Sequence, residues 1–179
     1  GILTLGLFLS QIGMRGGQQV SWFPAYGPEM RGGTANCTVV ISDRPVGSPV
    51  IRSPRAVVAM NLPSLEKFEP DIRPGGLLLI NSSLINRGSE RDDVTVIEVP
   101  ANQIATELGN PRGANMVALG AYLGLLITNA TGSLILGMLS SAIIVGIGGM
   151  LMYRLCYQPI LDRPPYVALI ASIGLFIAM

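Results

Sequence analysis

Ala56-Val-Val-Ala-Met60, Leu77-Leu-Leu-Ile80 and Val94-Thr-Val-Ile-Glu-Val99 are the runs on which the fold turns. Each is short, apolar and bounded by turn formers, the second announced by Pro74-Gly75-Gly76. Between the first two, Leu62 to Phe68 carries helical spacing, and Pro63 sits acceptably in a first turn. Ala101 to Leu108 repeats the helical pattern after the third. Continuous apolar strands separated by helices predict an α/β domain with a mostly parallel sheet covered on both faces. Toward the N-terminus, Gln19 to Phe23 and Thr34 to Ile41 read as further strands of that sheet. Gly1 to Met14 reads as a buried helix ended by Gly16-Gly17, and its lack of a basic leader argues against a secretory signal.

Composition separates this domain from the C-terminal third of the chain. The chain has 179 residues, 22 Gly and 13 Pro, which suits one ordinary domain, or a small one with an appendage, and opposes a helical bundle. Charged residues make up 13% and mean hydropathy is +0.50, so part of the chain is expected to meet lipid. Beyond Arg112 the only charged residues are Arg154, Asp162 and Arg163, and Gly113 to Met152 has none. A stretch so long and uncharged is either enclosed or embedded in a membrane. Residues 131–152 predict one full helix, about 33 Å long and sufficient to span a bilayer. Gly137, Ser141, Gly146 and Gly149 give it a smooth face. Tyr153 and Arg154 suit a membrane boundary, and 166–179 predict a partial helix completing a transmembrane-like hairpin. The expected organisation is therefore an α/β domain over 1–125 and an apolar membrane-type segment over 126–179.

Several functions are excluded. There is no His, so serine-protease-type and imidazole acid-base catalysis and histidine metal sites are absent. Cys37 and Cys156 are too far apart for local metal spacing and too few for a disulfide framework, which suggests a reducing compartment. A net charge of +1 with a single Lys, Lys67, gives no basic stripe for nucleic acid. No residue stands out as catalytic. In Tyr26-Gly-Pro-Glu-Met-Arg-Gly-Gly33, Arg31 offers a planar fork and Gly32-Gly33 let backbone N–H groups approach an anion, a phosphate or a carboxylate. The same loop also reads as a plain turn with Arg31 solvated or paired to Glu29. Ser42-Asp43 and Asn81-Ser-Ser83 follow strands, where parallel sheets place sites, but also suit turns and caps, the reading preferred for Asn81. Asn115 stands where a helix begins and suits a cap or a partner contact. Cys37 reads as an inert buried thiol. Glu66, Glu69, Asp71, Glu90, Asp92 and Asp93, interspersed with Lys67, Arg73, Arg87 and Arg91, read as solvated faces.

Tyr26-Gly-Pro-Glu-Met-Arg-Gly-Gly33, Val40-Ile-Ser-Asp43, Pro74-Gly-Gly76, Asn81-Ser-Ser83, Val99-Pro100 and Gly109-Asn-Pro-Arg-Gly-Ala-Asn-Met-Val-Ala-Leu-Gly120 together resemble the gamma subunit, or gamma domain, of 2-oxoacid:ferredoxin oxidoreductases. The resemblance covers about residues 1–125. It implies a cytoplasmic complex that decarboxylates a 2-oxoacid and makes acyl-coenzyme A while reducing ferredoxin. Its partners would be the alpha, beta and ferredoxin-like subunits and ferredoxin itself. Thiamine diphosphate, iron-sulfur clusters and coenzyme A are implied in the assembled complex, with none bound by this chain alone. Tyr26, Glu29, Arg31, Gly32, Gly33, Ser42 and Asn115 are the residues expected to line cofactor or partner groups. Members open with a strand and a Gly-x-Gly-Gly-Gln-Gly loop; only Gly1 of that loop stands here, so the first strand is missing.

Gly148-Gly-Met-Leu-Met-Tyr-Arg-Leu-Cys-Tyr-Gln-Pro-Ile160 and Pro165-Tyr-Val-Ala-Leu-Ile-Ala-Ser-Ile-Gly174 resemble a segment of the permease subunit of branched-chain amino-acid ABC transporters. This second resemblance covers about 131–179, and Tyr153 stands where many permeases carry an acid. The sequence thus supports an oxidoreductase subunit with a membrane tail, with a permease fragment or a non-functional junction of two genes as alternatives.

Overall fold

The computed structural model describes residues 1–25 and 35–152, with the backbone alone at 148–149 and 151–152. The expected 166–179 helix and the Tyr153-Arg154 boundary lie outside the described residues. Element order is α1 (Ile2–Arg15), β1 (Gln19–Ala25), β2 (Asn36–Ser42), β3 (Ala56–Ala59), α2 (Leu62–Phe68), β4 (Leu77–Asn81), β5 (Thr95–Val99), α3 (Ala101–Glu107), a 3-10 turn (Pro111–Gly113), α4 (Ala114–Thr131) and α5 (Leu134–Met152). The chain divides into two compact units, Gly1–Tyr122 and Leu123–Met179, where the sequence suggested a break after residue 125.

In the first unit the apolar runs at 56–60, 77–80 and 94–99 form a parallel sheet in the order β3-β4-β5, with Ala59 beside Ile80 and Ile80 beside Glu98. Strand alternation gives β4 two buried faces. Leu78 and Ile80 join Ala59, Leu65, Ile72 and Ile85 in one core cluster, flanked by Val57, Leu62, Val94 and Val96, while Leu79 is buried on the opposite side. α2 starts where Asn61 Oδ1 accepts the Ser64 N–H at 3.1 Å, with Pro63 in the first turn, and it buries Leu65 completely.

The parallel sheet does not include the two N-terminal strands. β1 and β2 form a separate antiparallel pair, from Gln19 opposite Ser42 to Ala25 opposite Asn36. The physical reason is connection length. Residues 26–35 are too few for the dozen or more residues that a parallel crossover needs, but ample for a hairpin. α1 packs on this ribbon through small residues. A Cβ at Gly13 would lie 2.9 Å from Val20 Cγ2 and 3.1 Å from an Ile41 methyl, and one at Gly6 would overlap the Cys37 sulfur. Ser10 Oγ turns back to the Gly6 carbonyl at 2.8 Å, so this face of the helix stays flat.

The acidic and basic residues expected on solvated faces are partly interior. Glu69 is 4% exposed, pairs with Arg87 at 3.3 Å, accepts the Glu90 N–H at 2.8 Å and is bonded by the Ser89 hydroxyl. Arg91 donates to the carbonyls of Glu69, Pro70 and Ile72, just past the end of α2, and holds Asp93 at 2.6 Å. Orphan carbonyls past a helix end need donors, and the β4–β5 connection supplies them.

In the second unit the uncharged stretch ends α4 and forms α5 in place of the single helix expected over 131–152. Gly132, at φ 69°, occupies the left-handed turn between Thr131 and Leu134. Among the residues whose side chains are described, one helix, Pro111–Thr131, is long and apolar enough to cross a membrane by length and composition, and the Leu134–Ile147 part of α5 is apolar but shorter. That span begins within the first unit.

Candidate functional site

The Arg-Gly-Gly loop gathers its surroundings through the ribbon. Ala25 and Asn36 are paired, so residues 26–35 join β1 to β2 at one end of it. Tyr26, Glu29, Arg31, Gly32 and Gly33 themselves lie outside the described residues. At the root of that end, Cys37 stands opposite Pro24 and its thiol donates to the Ile2 carbonyl at 3.5 Å, placing the first turn of α1 beside it. Asn115, 9% exposed, donates from Nδ2 to the Gly1 carbonyl at 3.2 Å. The start of α1, the start of α4 and the root of the loop therefore meet at one end of the ribbon.

Asn115 thus lies inside α4 and does not cap it. It ties α4 to the first turn of α1. Ser42 is elsewhere. It pairs with Gln19 at the opposite end of the ribbon, about 20 Å from the loop root at 3.3 Å per residue. There its Oγ accepts the Arg44 N–H at 3.0 Å, and Gln18 bonds Asp43 at 3.1 Å, which is a turn. The alternation of β2 gave no sign that Ser42 lies at the end of the ribbon away from the β1–β2 connection, because only the antiparallel register decides it.

Cys37 carries a half-buried thiol. Burial pushes its pKa up, opposed by the Trp22 indole N–H and the Gly6 backbone beside it. The Trp22 indole nitrogen is buried without an oxygen or nitrogen acceptor, and sulfur, a weak acceptor, is what lies next to it. Burial thus disfavours the thiolate, and this Cys is placed to pack rather than to react.

A second polar centre lies at the C-terminal edge of the parallel sheet. Asn81 is fully buried. Its Nδ2 donates to the Met60 carbonyl at 3.2 Å and to Asn102 Oδ1 at 2.8 Å, and its Oδ1 accepts the Ala101 N–H at 3.1 Å. Ser83 Oγ accepts the Gln103 N–H at 3.1 Å. The first turn of α3 is thus capped from the end of β4. The preferred capping reading of Asn81 holds, although the helix it serves lies twenty residues ahead in the chain. A shallow surface cleft lined by Ser83, Asn102, Gln103, Thr106 and Glu107 lies alongside. Among the described residues no group of three or more Cys, Asp or Glu could hold a metal.

Comparisons with known proteins bear on the same residues. The profile of the family described as pyruvate ferredoxin/flavodoxin oxidoreductase matches residues 1–139. Ketoisovalerate oxidoreductase subunit VorA of Methanothermobacter marburgensis is 45% identical over 128 residues, 72% of this chain and 27% of that protein. The 2-oxoglutarate synthase subunit KorC of Methanocaldococcus jannaschii is 33% identical over 124 residues, 68% of this chain and 66% of KorC. The crystal structure of a keto/oxoacid ferredoxin oxidoreductase gamma subunit from Geobacter sulfurreducens superposes with a TM-score of 0.62 at 28% identity, covering 70% of this chain and 69% of that one. The chain thus spans about a quarter of the VorA relative and about two thirds of KorC. Of the 131–179 segment that resembles a permease, 131–139 falls inside the oxidoreductase match and 153–179 lies outside the described residues. With more than half of its length under one family profile, and a gamma-subunit fold over the same region, the chain belongs to the pyruvate ferredoxin/flavodoxin oxidoreductase family.

Proposed function

We propose that the chain supplies the gamma-type part of a cytoplasmic 2-oxoacid:ferredoxin oxidoreductase and is not catalytic alone. The reaction removes the carboxylate of the 2-oxoacid as carbon dioxide, passes two electrons to ferredoxin and joins the acyl group to the thiol of coenzyme A. The observation that carries this reading is the family match over residues 1–139, with 45% identity to a ketoisovalerate oxidoreductase subunit. That identity, higher than the 33% with the 2-oxoglutarate synthase subunit, makes a branched-chain 2-oxoacid the first substrate to assay.

The donor set decides what this chain holds. With no His and only two Cys it lacks the four-cysteine set of an iron-sulfur cluster, and such clusters would reside on the partner subunits. Thiamine diphosphate, which supplies the electron sink for decarboxylation when bound, and coenzyme A both carry phosphates. The chain's own contribution is to bind and orient such an anion, with Arg31 as the planar fork and the Gly32-Gly33 backbone as close donors. The first turn of α1 lies at the root of the same loop, beside Cys37. Asn115 positions that helix start by holding the Gly1 carbonyl.

The test is co-expression of the tagged chain with the alpha, beta and ferredoxin-like subunits of a related ketoisovalerate oxidoreductase. Co-purification and 2-oxoacid- and coenzyme-A-dependent reduction of ferredoxin are expected. In that complex Arg31→Ala should lower kcat/KM by about 1.5–3 kcal/mol, the value of a hydrogen bond to a charged group. Unchanged kinetics in an intact complex would remove Arg31 from the site, and failure of the subunits to associate would overturn the proposal.

A further inference from the structure

α5 and the end of α4 form an antiparallel pair with a seam of small residues. A Cβ at Gly137 would run into Thr128 Oγ1 and stand 2.6 Å from the Gly124 carbonyl, and one at Gly124 would stand 3.2 Å from Ser141 Oγ. The hydroxyls near this seam are used up within their own helices: Thr128 bonds the Gly124 carbonyl at 2.8 Å, Thr131 that of Ile127 at 2.7 Å, Ser140 that of Leu136, and Ser141 that of Met138 at 3.0 Å. Away from the seam, Ile135, Met138, Leu139, Ile143, Ile147 and Met150 are each more than half exposed. At 100° per residue they cover about half the circumference of α5. Soluble monomers seldom leave an apolar patch beyond about 300–600 Å² uncovered.

We infer that this surface is embedded in a lipid bilayer. A protein partner, or a second copy of the chain, would meet a polar, partly charged rim around an apolar centre, and no charge occurs anywhere from Gly113 to Met152. The length agrees with a bilayer. α5 has 19 residues, about 28 Å of helix against a hydrocarbon core of about 30 Å. Apart from Ser140 and Ser141, whose hydroxyls bond carbonyls of their own helix, polar character returns only at its two ends. Asn129, exposed, and Ser133 flank the Gly132 turn, and the sequence continues beyond Met152 with Tyr153 and Arg154, residue types that favour headgroups. Within lipid there is no hydrophobic drive between helices, so close contact through Gly124 and Gly137, with hydroxyls already satisfied, is the packing such a pair requires. The inference does not depend on the oxidoreductase reading, which residues outside α5 carry for the most part.

The experiment is flotation of the full chain with phosphatidylcholine and phosphatidylglycerol vesicles in a density gradient, after washes in high salt and in alkaline carbonate. The chain is expected to float and to resist both washes. Ile143→Lys should reduce the floated fraction at least tenfold, whereas Glu107→Lys, on the α/β unit, should leave it unchanged. Recovery of the wild-type chain at the bottom of the gradient, whether as a monomer or as a defined dimer, would overturn the inference, as would undiminished flotation of Ile143→Lys. Subunit association and ferredoxin reduction are read separately, so either proposal can fail without the other.

Discussion

Replacing Asn81 by Leu, a side chain of similar volume, tests the clip that joins all three parallel strands to α3. The exchange removes the donor to the Met60 carbonyl, the partner of Asn102 and the acceptor for the Ala101 N–H in a site with no exposure. Two main-chain groups lose a partner, and a buried group so orphaned costs about 1–3 kcal/mol. Leu returns part of this as apolar burial, of the order of 1–2 kcal/mol. A net loss of about 2.5 kcal/mol is therefore expected from the middle of these ranges, a large fraction of an ordinary domain's stability. Far-UV circular dichroism during urea unfolding reads it as a lower midpoint at unchanged slope. Asn81→Asp refines the test. It keeps the acceptor for Ala101 but turns a carboxylate oxygen toward Met60 and Asn102, so its folded pKa must rise above the unfolded value of about 3.9. The folded state then binds more protons than the unfolded one, and stability falls as pH rises above about 4. An Asn81→Leu midpoint equal to wild type, or an Asn81→Asp protein no more stable in mild acid than at neutral pH, would refute the reasoning.

Other outcomes rest on the same geometry. Gly76→Ala places a Cβ 2.6 Å from Ile72 Cγ2 and within 2.9 Å of the Arg73 and Arg55 carbonyls; two of these are backbone, so urea unfolding should show a loss of about 1–3 kcal/mol. The hydrogen bond from Arg91 holds the Asp93 carboxyl below its ordinary range. A depressed folded pKa gives stability present above the unfolded pKa and lost as pH falls through the folded one, so Asp93→Asn should flatten the acid limb of the pH–stability curve. In a Cys156→Ser background, Cys37 should react with a thiol reagent at neutral pH at least about tenfold more slowly than in the urea-unfolded chain, since burial disfavours its thiolate.

The parallel sheet was legible because its signals are local. Leu77 to Ile80 is apolar on every residue, as a strand covered on both faces must be, and Pro74-Gly75-Gly76 marks its start. What the runs do not carry is partnership. Gln19 to Ala25 and Asn36 to Ser42 have the same β-rich composition as the parallel strands, and only the length of the connection between them selects a hairpin. Had that length been weighed against the reach of a crossover, the ribbon would have been separated from the sheet in advance. Glu69 and Arg91 misled for a related reason. Charge in sequence reads as exposure, yet a carboxylate and a guanidinium that meet loose backbone groups at a helix end are drawn inside by the bonds they make there.

The site shows the same division between local and long-range information. Arg31-Gly32-Gly33 is visible as a motif because its chemistry is contained in three adjacent residues. Its setting is not, since it depends on a contact from Asn115 to Gly1 across nearly the whole first unit and on a thiol-to-carbonyl bond from Cys37 to Ile2. Both contacts end on the first turn of α1. That turn is therefore held in place by main-chain carbonyls that accept from other elements. Asn115 tests whether the anion contact proposed for the loop depends on this placement. Asn115→Ala removes the Nδ2 donor, so it should weaken 2-oxoacid-dependent turnover in the assembled complex through KM more than through kcat, because the helix start is loosened while the loop chemistry is untouched. An equal fall in both parameters, or none, would show that the first turn of α1 is held without it.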